Sequence, residues 1–427
     1  CCYKRCASQL TTDAAVTKIV GERGEHQHDA LTDRQREVCV VAAACKRTAT
    51  EALDSRPRRI LRREIKGQSH ILKPDVTQIM KRMYRAKRKC LPALPKTQEE
   101  AVRRLADDLK IETSRGEKFG FTMEENKIII FTCDTNLRCV NIYPYPDCSL
   151  NETWFADGTF EYAPDKFAQL YSVHGHTQGH NVRLAFACLP DKKTSTYVAF
   201  FDKLKALASE RVERNLQPAH ILVDFEDAAL SALRQTLPGA NIRACRFHFT
   251  QNCIKRIRAN NSMLTRYRCT DSETGKWLRD FNGLPCLPPD LVPDAFAELM
   301  SCAPETSGVL HIFADSILNT YIETTRCPSS LWARAPSMND PTTTNAAESF
   351  HSSYNKDHIS SHPNIHITIQ SLLDHQEETY LTERTIRAGI NDAEDMSYSH
   401  NLQIFNPVPP NRCFEPCTDR NNTYTDK

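Results

Sequence analysis

The stretch FADGTFEYAPDKFAQLYSVHGH, residues 155–176, decides the fold of the second half of this chain. A short apolar run ends at Asp157, Gly158 follows at once, and a second apolar run begins after a polar turn. Apolar runs bounded by Gly and Pro predict neighbouring β-strands. Asp157 is therefore either an ordinary turn residue at the end of its strand or one carboxylate of a reaction centre.

The residues that follow extend this pair of strands into a mixed sheet. VRLAFACLP (182–190) completes a three-stranded antiparallel meander, and HILVDF (220–225) and NIRACRF (241–247) predict two short buried strands. Helices are predicted between these strands, over 195–209 and 226–236, and a third begins at HFTQNCIKRI. The order β-β-β-α-β-α-β indicates an α/β fold with a mixed sheet flanked by helices.

The pattern of apolar and charged residues changes several times along the rest of the chain. Pro57 and Pro74 stand where the first turns of helices tolerate proline, in a stretch from about 30 to 90 that has a helical pattern. We predict six regions: a small module (1–28), a basic helical region with its linker (29–115), the first part of the sheet core (116–259), a helical insertion (260–335), a helical region that closes the core (336–390) and a polar tail (391–427).

The composition is that of a soluble globular protein, with 40% hydrophobic and 25% charged residues among 427. No run of 18 apolar residues predicts a transmembrane helix, so no membrane partner is expected. Eighteen scattered cysteines favour reduced thiols in the cytosol or nucleus over a disulfide scaffold. The chain opens on Cys1 rather than Met, and we expect it to be a fragment.

Positive charge is concentrated in one block. Residues 56–89 hold thirteen Lys and Arg against Glu64 and Asp75, a balance of +11, whereas the whole chain carries +2. Such a block is typical of a phosphate-binding segment, but a solvated helix face gives the same pattern, and charge alone does not decide between them. The candidate DNA contacts are Arg56, Arg58, Arg59, Arg62, Arg63, Lys81, Arg82, Arg85, Lys87, Arg88 and Lys89.

A second carboxylate, Asp224 in ILVDFEDA, ends a buried strand and precedes a helix. Functional groups of open α/β sheets gather at such strand ends, so Asp157 and Asp224 share one edge if their strands are neighbours. Two carboxylates that close require a cation between them, and their oxygens suit Mg²⁺ or Mn²⁺. The alternative is two turn aspartates that never meet.

A third carboxylate is Glu348, in TTTNAAESFHSSYNKDH (342–358). Asn345 has the character of a helix N-cap, and Glu348 three residues later would complete a capping box. The two roles are compatible, because a glutamate in the first turn can cap its helix and still face a metal ion.

Four blocks of the chain resemble, in order, the conserved blocks of Mutator-like element (MULE) transposases: WFADGTFEYAPDKFAQLYSVHG, PAHILVDFEDAALSAL, RACRFHFTQNCIKRI and TTTNAAESFH. The resemblance covers roughly residues 119–385. It implies a ribonuclease H-like core with a helical insertion before the last acidic residue. It also implies an Asp-Asp-Glu triad at Asp157, Asp224 and Glu348 that holds two Mg²⁺ or Mn²⁺ ions.

The resemblance further implies a nuclear DNA transposase. Such an enzyme cleaves DNA at the transposon ends and joins them to target DNA, so its partners are terminal repeats, target DNA and further copies of itself in the strand-transfer complex. The alternative is a domesticated, transposase-derived regulator that binds DNA without catalysis.

Cys245 and His248, in ACRFHF, match the C-x-x-H block of the family, which implies an accessory role in the active site. Two ligands are fewer than a zinc site needs, and no partner pair is evident nearby in the sequence. The alternative is a buried cysteine beside a histidine that caps a helix.

The segment HGHTQGH has three closely spaced histidines, His174, His176 and His180, which resemble the ligands of a metal site. Strand alternation places His174 and His176 on one face, whereas His180 lies across the turn. A hairpin with polar edge residues is favoured over a metal site and over a zinc hydrolase built on it.

The N-terminal segment resembles the end of a FLYWCH-type zinc finger. The resemblance implies Zn²⁺ ligands at Cys2 (or Cys1), Cys6, His26 and His28, in a module truncated at its start. Cys413 and Cys417 have no neighbouring ligands and receive no role.

Overall fold

The computed structural model describes residues 8–13, 17–25, 29–51, 57–107, 110–139, 153–177, 179–304, 308–335, 344–358 and 361–389. The chain divides into two compact units, Cys1–Ala93 and Leu94–Lys427. The division falls inside the predicted region 29–115, so residues 94–115 belong to the second unit. Within the described residues, every helix is too short or too polar to span a lipid bilayer.

In its described residues, the first unit has a two-stranded antiparallel sheet and three helices. Its elements are β1 (Gln9–Thr12), β2 (Ile19–Arg23), α1 (Asp33–Glu51), α2 (Pro57–Glu64) and α3 (Lys73–Cys90). The helices share a small apolar core that includes Cys45, Ile60 and Ile79. Pro57 opens α2, and Pro74 lies in the first turn of α3, as predicted.

The second unit is built on one seven-stranded sheet. Its strands are β3 (Gly120–Met123), β4 (Ile128–Phe131), β5 (Thr153–Thr159), β6 (Gln169–Thr177), β7 (His180–Leu189), β8 (His220–Val223) and β9 (Asn241–Ala244). The strand order is β3-β4-β7-β6-β5-β8-β9. Strands β5, β6 and β7 form the antiparallel meander, and β5, β8 and β9 run parallel. The predicted mixed sheet is confirmed, and β5 and β8 are neighbours, which was the condition for Asp157 and Asp224 to lie at one edge.

Helices surround this sheet. They are α4 (Gln98–Asp107), α5 (Asp134–Cys139), α6 (Thr194–Val212), α7 (Asp227–Thr236), α8 (Arg246–Arg258), α9 (Asn261–Arg268), α10 (Glu273–Asp280), α11 (Val292–Ser301), α12 (Gly308–Ile317), α13 (Ser329–Trp332), α14 (Asn345–Asp357) and α15 (Ile365–Arg387). Two 3-10 helices (Phe281–Cys286 and Pro289–Leu291) and a π-helical turn (Leu318–Ile322) lie among α9–α13.

Both faces of the sheet are buried, which explains why its strands are apolar on both sides. In β4, Ile128 and Ile130 join the apolar cluster that contains residues of α6 and α7. Ile129 and Phe131 face the opposite way and join the cluster that contains residues of α4, α14 and α15. The second unit is therefore a three-layer α/β/α arrangement, and α14 lies on one face of the central sheet.

Strand β5 does not end at Asp157, contrary to the prediction. Its ladder with β6 continues through Gly158, which pairs with Tyr171, to Thr159. A Cβ atom on Gly158 would meet the side-chain oxygen of Gln169. The close approach of the Gln169 side chain therefore favours a glycine at this position, which lies within the strand and not in a turn. On its other edge β5 pairs with β8 only as far as Phe155.

Candidate active site

Asp157 lies in β5, and Asp224 directly follows β8, the parallel neighbour of β5. The ladder between the two strands ends at the pair Phe155 and Leu222, and each aspartate stands two residues beyond that pair. Because side chains alternate along a strand, Asp157 lies on the same face as Phe155 and Leu222. Those two side chains pack with Ala346 of α14. The carboxylate of Asp157 therefore lies on the face of the sheet that α14 covers, and its negative charge contributes to the raised pKa of Asp224.

The carboxylate of Asp157 is buried, with 7% of the residue exposed. Its Oδ1 accepts a hydrogen bond of 2.9 Å from the backbone N–H of Gly158, and its Oδ2 lies 3.3 Å from Nδ1 of His351. Burial alone raises the pKa of Asp157, but the hydrogen bond and charge of His351, with the charge of His248 and the Gly158 N–H, outweigh it. The pKa of Asp157 therefore lies below its ordinary value.

The ring of His351 is held from both ends. Its Nε2 lies 3.0 Å from Oγ of Ser172, and this hydroxyl also donates to the carbonyl oxygen of Asp157 at 3.4 Å. His351 belongs to none of the sites predicted from the sequence. Its position three residues after Glu348 on one helix was the available signal, because side chains at that spacing share a helix face.

Asp224 is half-buried, and its Oδ1 accepts a hydrogen bond of 3.2 Å from the backbone N–H of Glu226. Burial, followed by the negative charges of Asp157 and Glu226, raises the pKa of Asp224 to about 7. The Glu226 N–H and the charge of Lys192 offset this only in part. The two aspartates therefore repel each other as they stand, which is the condition that a bound cation relieves.

Glu348 lies in the first turns of α14, but it does not form the predicted capping box. Thr344, not Asn345, is the N-cap, and its backbone N–H donates to Sγ of Cys245 at 3.3 Å. With that donor occupied, the Glu348 carboxylate instead accepts a hydrogen bond of 2.8 Å from the Thr344 hydroxyl. Burial, with a smaller contribution from the charge of Asp157, raises the pKa of Glu348 although Thr344 and His248 act against it.

The two residues of the C-x-x-H block meet Glu348 across the site. Cys245 is the N-cap residue of α8 and is fully buried, and His248 follows in the first turn. Sγ of Cys245 lies 3.8 Å from Oε1 of Glu348, and Nδ1 of His248 lies 4.0 Å from the same oxygen. Burial, and then the charge of Glu348, raises the pKa of the Cys245 thiol to about 12.

The histidine run is dispersed. His174 is buried against Phe186 and Phe350, with ring centroids 6.3 and 5.5 Å away, and burial lowers its pKa well below the ordinary value. His176 instead pairs its Nδ1 with Oδ1 of Asn181 at 2.9 Å. The prediction that His174 is a polar edge residue is wrong, because α14 covers this face of the hairpin.

The candidate DNA-contacting residues that lie in α2 and α3 are exposed, except Lys87. The exposed ones are Arg58, Arg59, Arg62, Arg63, Lys81, Arg82, Arg85, Arg88 and Lys89. Lys87 is only 6% exposed, which corrects the prediction of an exposed contact there. It follows Ile79, Met83 and Ala86 on the inward side of α3. The proposed zinc ligands Cys2, Cys6, His26 and His28, together with Arg56, lie outside the described residues.

A comparison with protein families matches residues 153–252 to the model of the MULE transposase domain. The matched stretch runs from the start of β5 into α8 and contains Asp157, Asp224, Cys245 and His248. A search of curated proteins finds no match to the chain. Residues 153–252 of this chain are therefore similar to the MULE transposase domain, in agreement with three of the four sequence blocks that resemble this family, which lie within or overlap the match.

Proposed function

We propose that the chain is a DNA transposase of the Mutator-like class with a ribonuclease H-like core. In this proposal Asp157, Asp224 and Glu348 hold divalent ions, DNA is cleaved at the transposon ends, and the ends are transferred into target DNA. The proposal is supported by the position of Asp157 in β5 and of Asp224 directly after the neighbouring strand β8, and by the contact of Asp157 with His351 of α14, the helix that carries Glu348.

The donor set suits a hard divalent cation. All three groups offer carboxylate oxygens, and the negative charge of Asp157 contributes to the raised pKa values of both Asp224 and Glu348. Mg²⁺ or Mn²⁺ ions held by these carboxylates would activate the attacking oxygen and would stabilise the leaving oxygen of a phosphodiester.

The side chains of the protein have separate tasks in this proposal. His351 and the Gly158 N–H hold Asp157 ionised and oriented before any ion arrives. Asp224, whose pKa burial and the charges of Asp157 and Glu226 raise to about 7, would offer its ionised carboxylate to the ion. The hydroxyl of Thr344 orients the carboxylate of Glu348.

Other regions would bring DNA to this site. The exposed basic residues of α2 and α3 supply phosphate contacts, and the N-terminal finger, if intact, adds Zn²⁺-dependent binding. A strand-transfer complex joins two transposon ends, so we expect the chain to act as a homo-oligomer. We expect it to act in the nucleus, where its DNA substrates are.

The test is a nicking assay on DNA that carries the ends of the encoding element, in Mg²⁺, Mn²⁺ or Ca²⁺. Glu348→Gln removes one anionic ligand at nearly constant volume, and the rate should fall on the order of 10²–10³-fold or more. Asp227→Asn is the matched control, because Asp227 lies three residues after Asp224 with 55% of its side chain exposed. Its rate should equal that of the wild type.

The opposite result would favour the domesticated regulator. In that case the wild type binds the same DNA, no divalent ion supports nicking, and Glu348→Gln behaves as the wild type does.

A further inference from the structure

Three potential ligands of different chemistry converge beside the proposed magnesium site. One ligand atom each from Cys245, His248 and Glu348 lies within 4.8 Å of the others. Around a tetrahedral zinc ion, with bonds of about 2.0–2.3 Å, neighbouring ligand atoms stand roughly 3.3–3.5 Å apart. The observed 3.8 Å from sulfur to Oε1 and 4.0 Å from Nδ1 to Oε1 need only small side-chain rotations to reach that spacing.

We propose that Cys245, His248 and Glu348 form a site for a thiophilic transition-metal ion of the zinc class. The site is separate in chemistry from the proposed Mg²⁺ or Mn²⁺ site and shares Glu348 with it. Thiolate and imidazole ligands select zinc-like ions, whereas Mg²⁺ takes oxygen. Cys245 and His248 lie in one turn at the start of α8, and only the fold brings Glu348 to them.

Thr344 supports this ligand set from outside. Its backbone N–H and its hydroxyl lie 3.3 and 3.4 Å from Sγ of Cys245, and the hydroxyl also lies 2.8 Å from Oε1 of Glu348. Donors aimed at a sulfur stabilise its thiolate form, and donors aimed at a carboxylate orient it, as groups around metal ligands commonly do. One residue thereby positions two of the three ligands.

The third ligand has an unused nitrogen. Nδ1 of His248 is buried and, among the described residues, has no hydrogen-bond partner. A buried polar atom without a partner is costly, and a metal bond would remove that cost.

Charge and proton balance also favour a divalent ion here. Binding releases the thiol proton of Cys245 to solvent, so a thiolate, a carboxylate and a neutral imidazole surround the ion. The assembly is then neutral, which suits a half-buried position. Three protein ligands leave one position for water, as in exchangeable zinc sites.

A consequence follows for the proposed reaction. An ion held by Cys245, His248 and Glu348 withdraws the Glu348 carboxylate from Asp157 and Asp224, so zinc should inhibit Mg²⁺-dependent nicking. This consequence rests on the proposed function, whereas the binding itself does not.

The test is a Co²⁺ titration of the full chain without DNA, followed by the thiolate-to-cobalt absorption band. Cys245→Ala should lose one equivalent of Co²⁺ together with its share of that band. Cys253→Ala is the matched control, because Cys253 is equally buried on α8 and lies outside the cluster. Cys6→Ala identifies any equivalent held by the N-terminal segment.

Two further variants keep the test decisive if Cys245→Ala unfolds. His248→Asn and Glu348→Gln should each weaken the same equivalent at least about 10-fold while circular dichroism stays unchanged. Titrations identical to the wild type in both variants would overturn the proposal. Failure of the nicking assay would leave it intact, because the cobalt band is measured without any reaction.

Discussion

Nδ1 of His351 lies 3.3 Å from Oδ2 of Asp157, so a residue of α14 holds the carboxylate of a residue in β5. Ser172 on β6 holds the other end of the imidazole ring. The orientation of Asp157 therefore depends on one helix and two strands that meet only in the folded chain.

Replacing His351 should weaken divalent-ion binding by this site. In His351→Gln the Asp157 carboxylate loses the partner that orients it, and the affinity for Mn²⁺ should fall about 10- to 100-fold, as for other groups that orient metal ligands. The measurement is Mn²⁺ binding followed by electron paramagnetic resonance. His362→Gln, at an exposed histidine, is the control, and equal affinities of the two variants would contradict the role of His351.

The stability of the metal-free protein should depend on the protonation of Asp224. Its pKa in the folded protein is about 7, above the ordinary 3.8. Between these values the folded state binds the proton more tightly than the unfolded state does. The stabilising contribution is therefore complete below about pH 4 and is lost as the pH rises through about 7.

Urea unfolding in a chelator at pH 5 and pH 8 checks this. The wild type should lose more free energy of unfolding over that interval than Asp224→Asn, which has no charge to bury. Asp227→Asn should behave as the wild type does. A pH dependence that is the same in Asp224→Asn and the wild type would exclude Asp224 as its source.

Gly158→Ala should destabilise the protein by about 1–3 kcal/mol, because its Cβ would meet the side chain of Gln169 in a packed strand pair. The measurement is the free energy of unfolding in urea. A second substitution, Gln169→Ala, should recover part of the loss in the double variant. Gly239→Ala is the control, because nothing lies within 4 Å of its added Cβ.

Substitutions of exposed and of buried basic residues in the first unit should affect DNA binding differently. The logarithm of the DNA affinity falls linearly with the logarithm of the salt concentration. Arg59→Ala and Arg62→Ala should each make this negative slope shallower, by about 0.9 for each phosphate that the arginine neutralises in the wild type. Lys87→Ala should leave the slope unchanged, because Lys87 is buried, and should instead lower the free energy of unfolding. Fluorescence anisotropy with a short random-sequence duplex measures the slopes. If all three variants changed the salt slope equally, the proposal that the exposed basic residues contact DNA would be contradicted.

Much of the fold follows from local pattern. The strands around 155–176, the two buried strands that follow and the helices between them are set by alternation and apolar runs, which short segments express by themselves. The predicted end of β5 at Asp157 was wrong because a glycine in a strand and a glycine in a turn look alike without the partner strand. Only the position of Gln169 on β6 distinguishes them.

The candidate site contains residues that the sequence analysis singled out and residues that it did not. Asp157, Asp224 and Glu348 were singled out by strand ends and sequence blocks. His351, Ser172 and Thr344 were not, because each acts through a residue that is distant in sequence. The capping box failed for the same reason, since the N–H of Thr344 donates to Cys245 of another helix.

The sequence by itself determined the order and type of the elements from β5 to α8, the basic block and the blocks that resemble MULE transposases, because periodicity and composition are properties of neighbouring residues. Only the tertiary structure decided that α14 covers the face of Asp157, that Lys87 points inward, and that Glu348 meets Cys245 and His248. Those arrangements depend on how the helices of each unit pack in the folded chain, because the same local sequence is compatible with more than one packing.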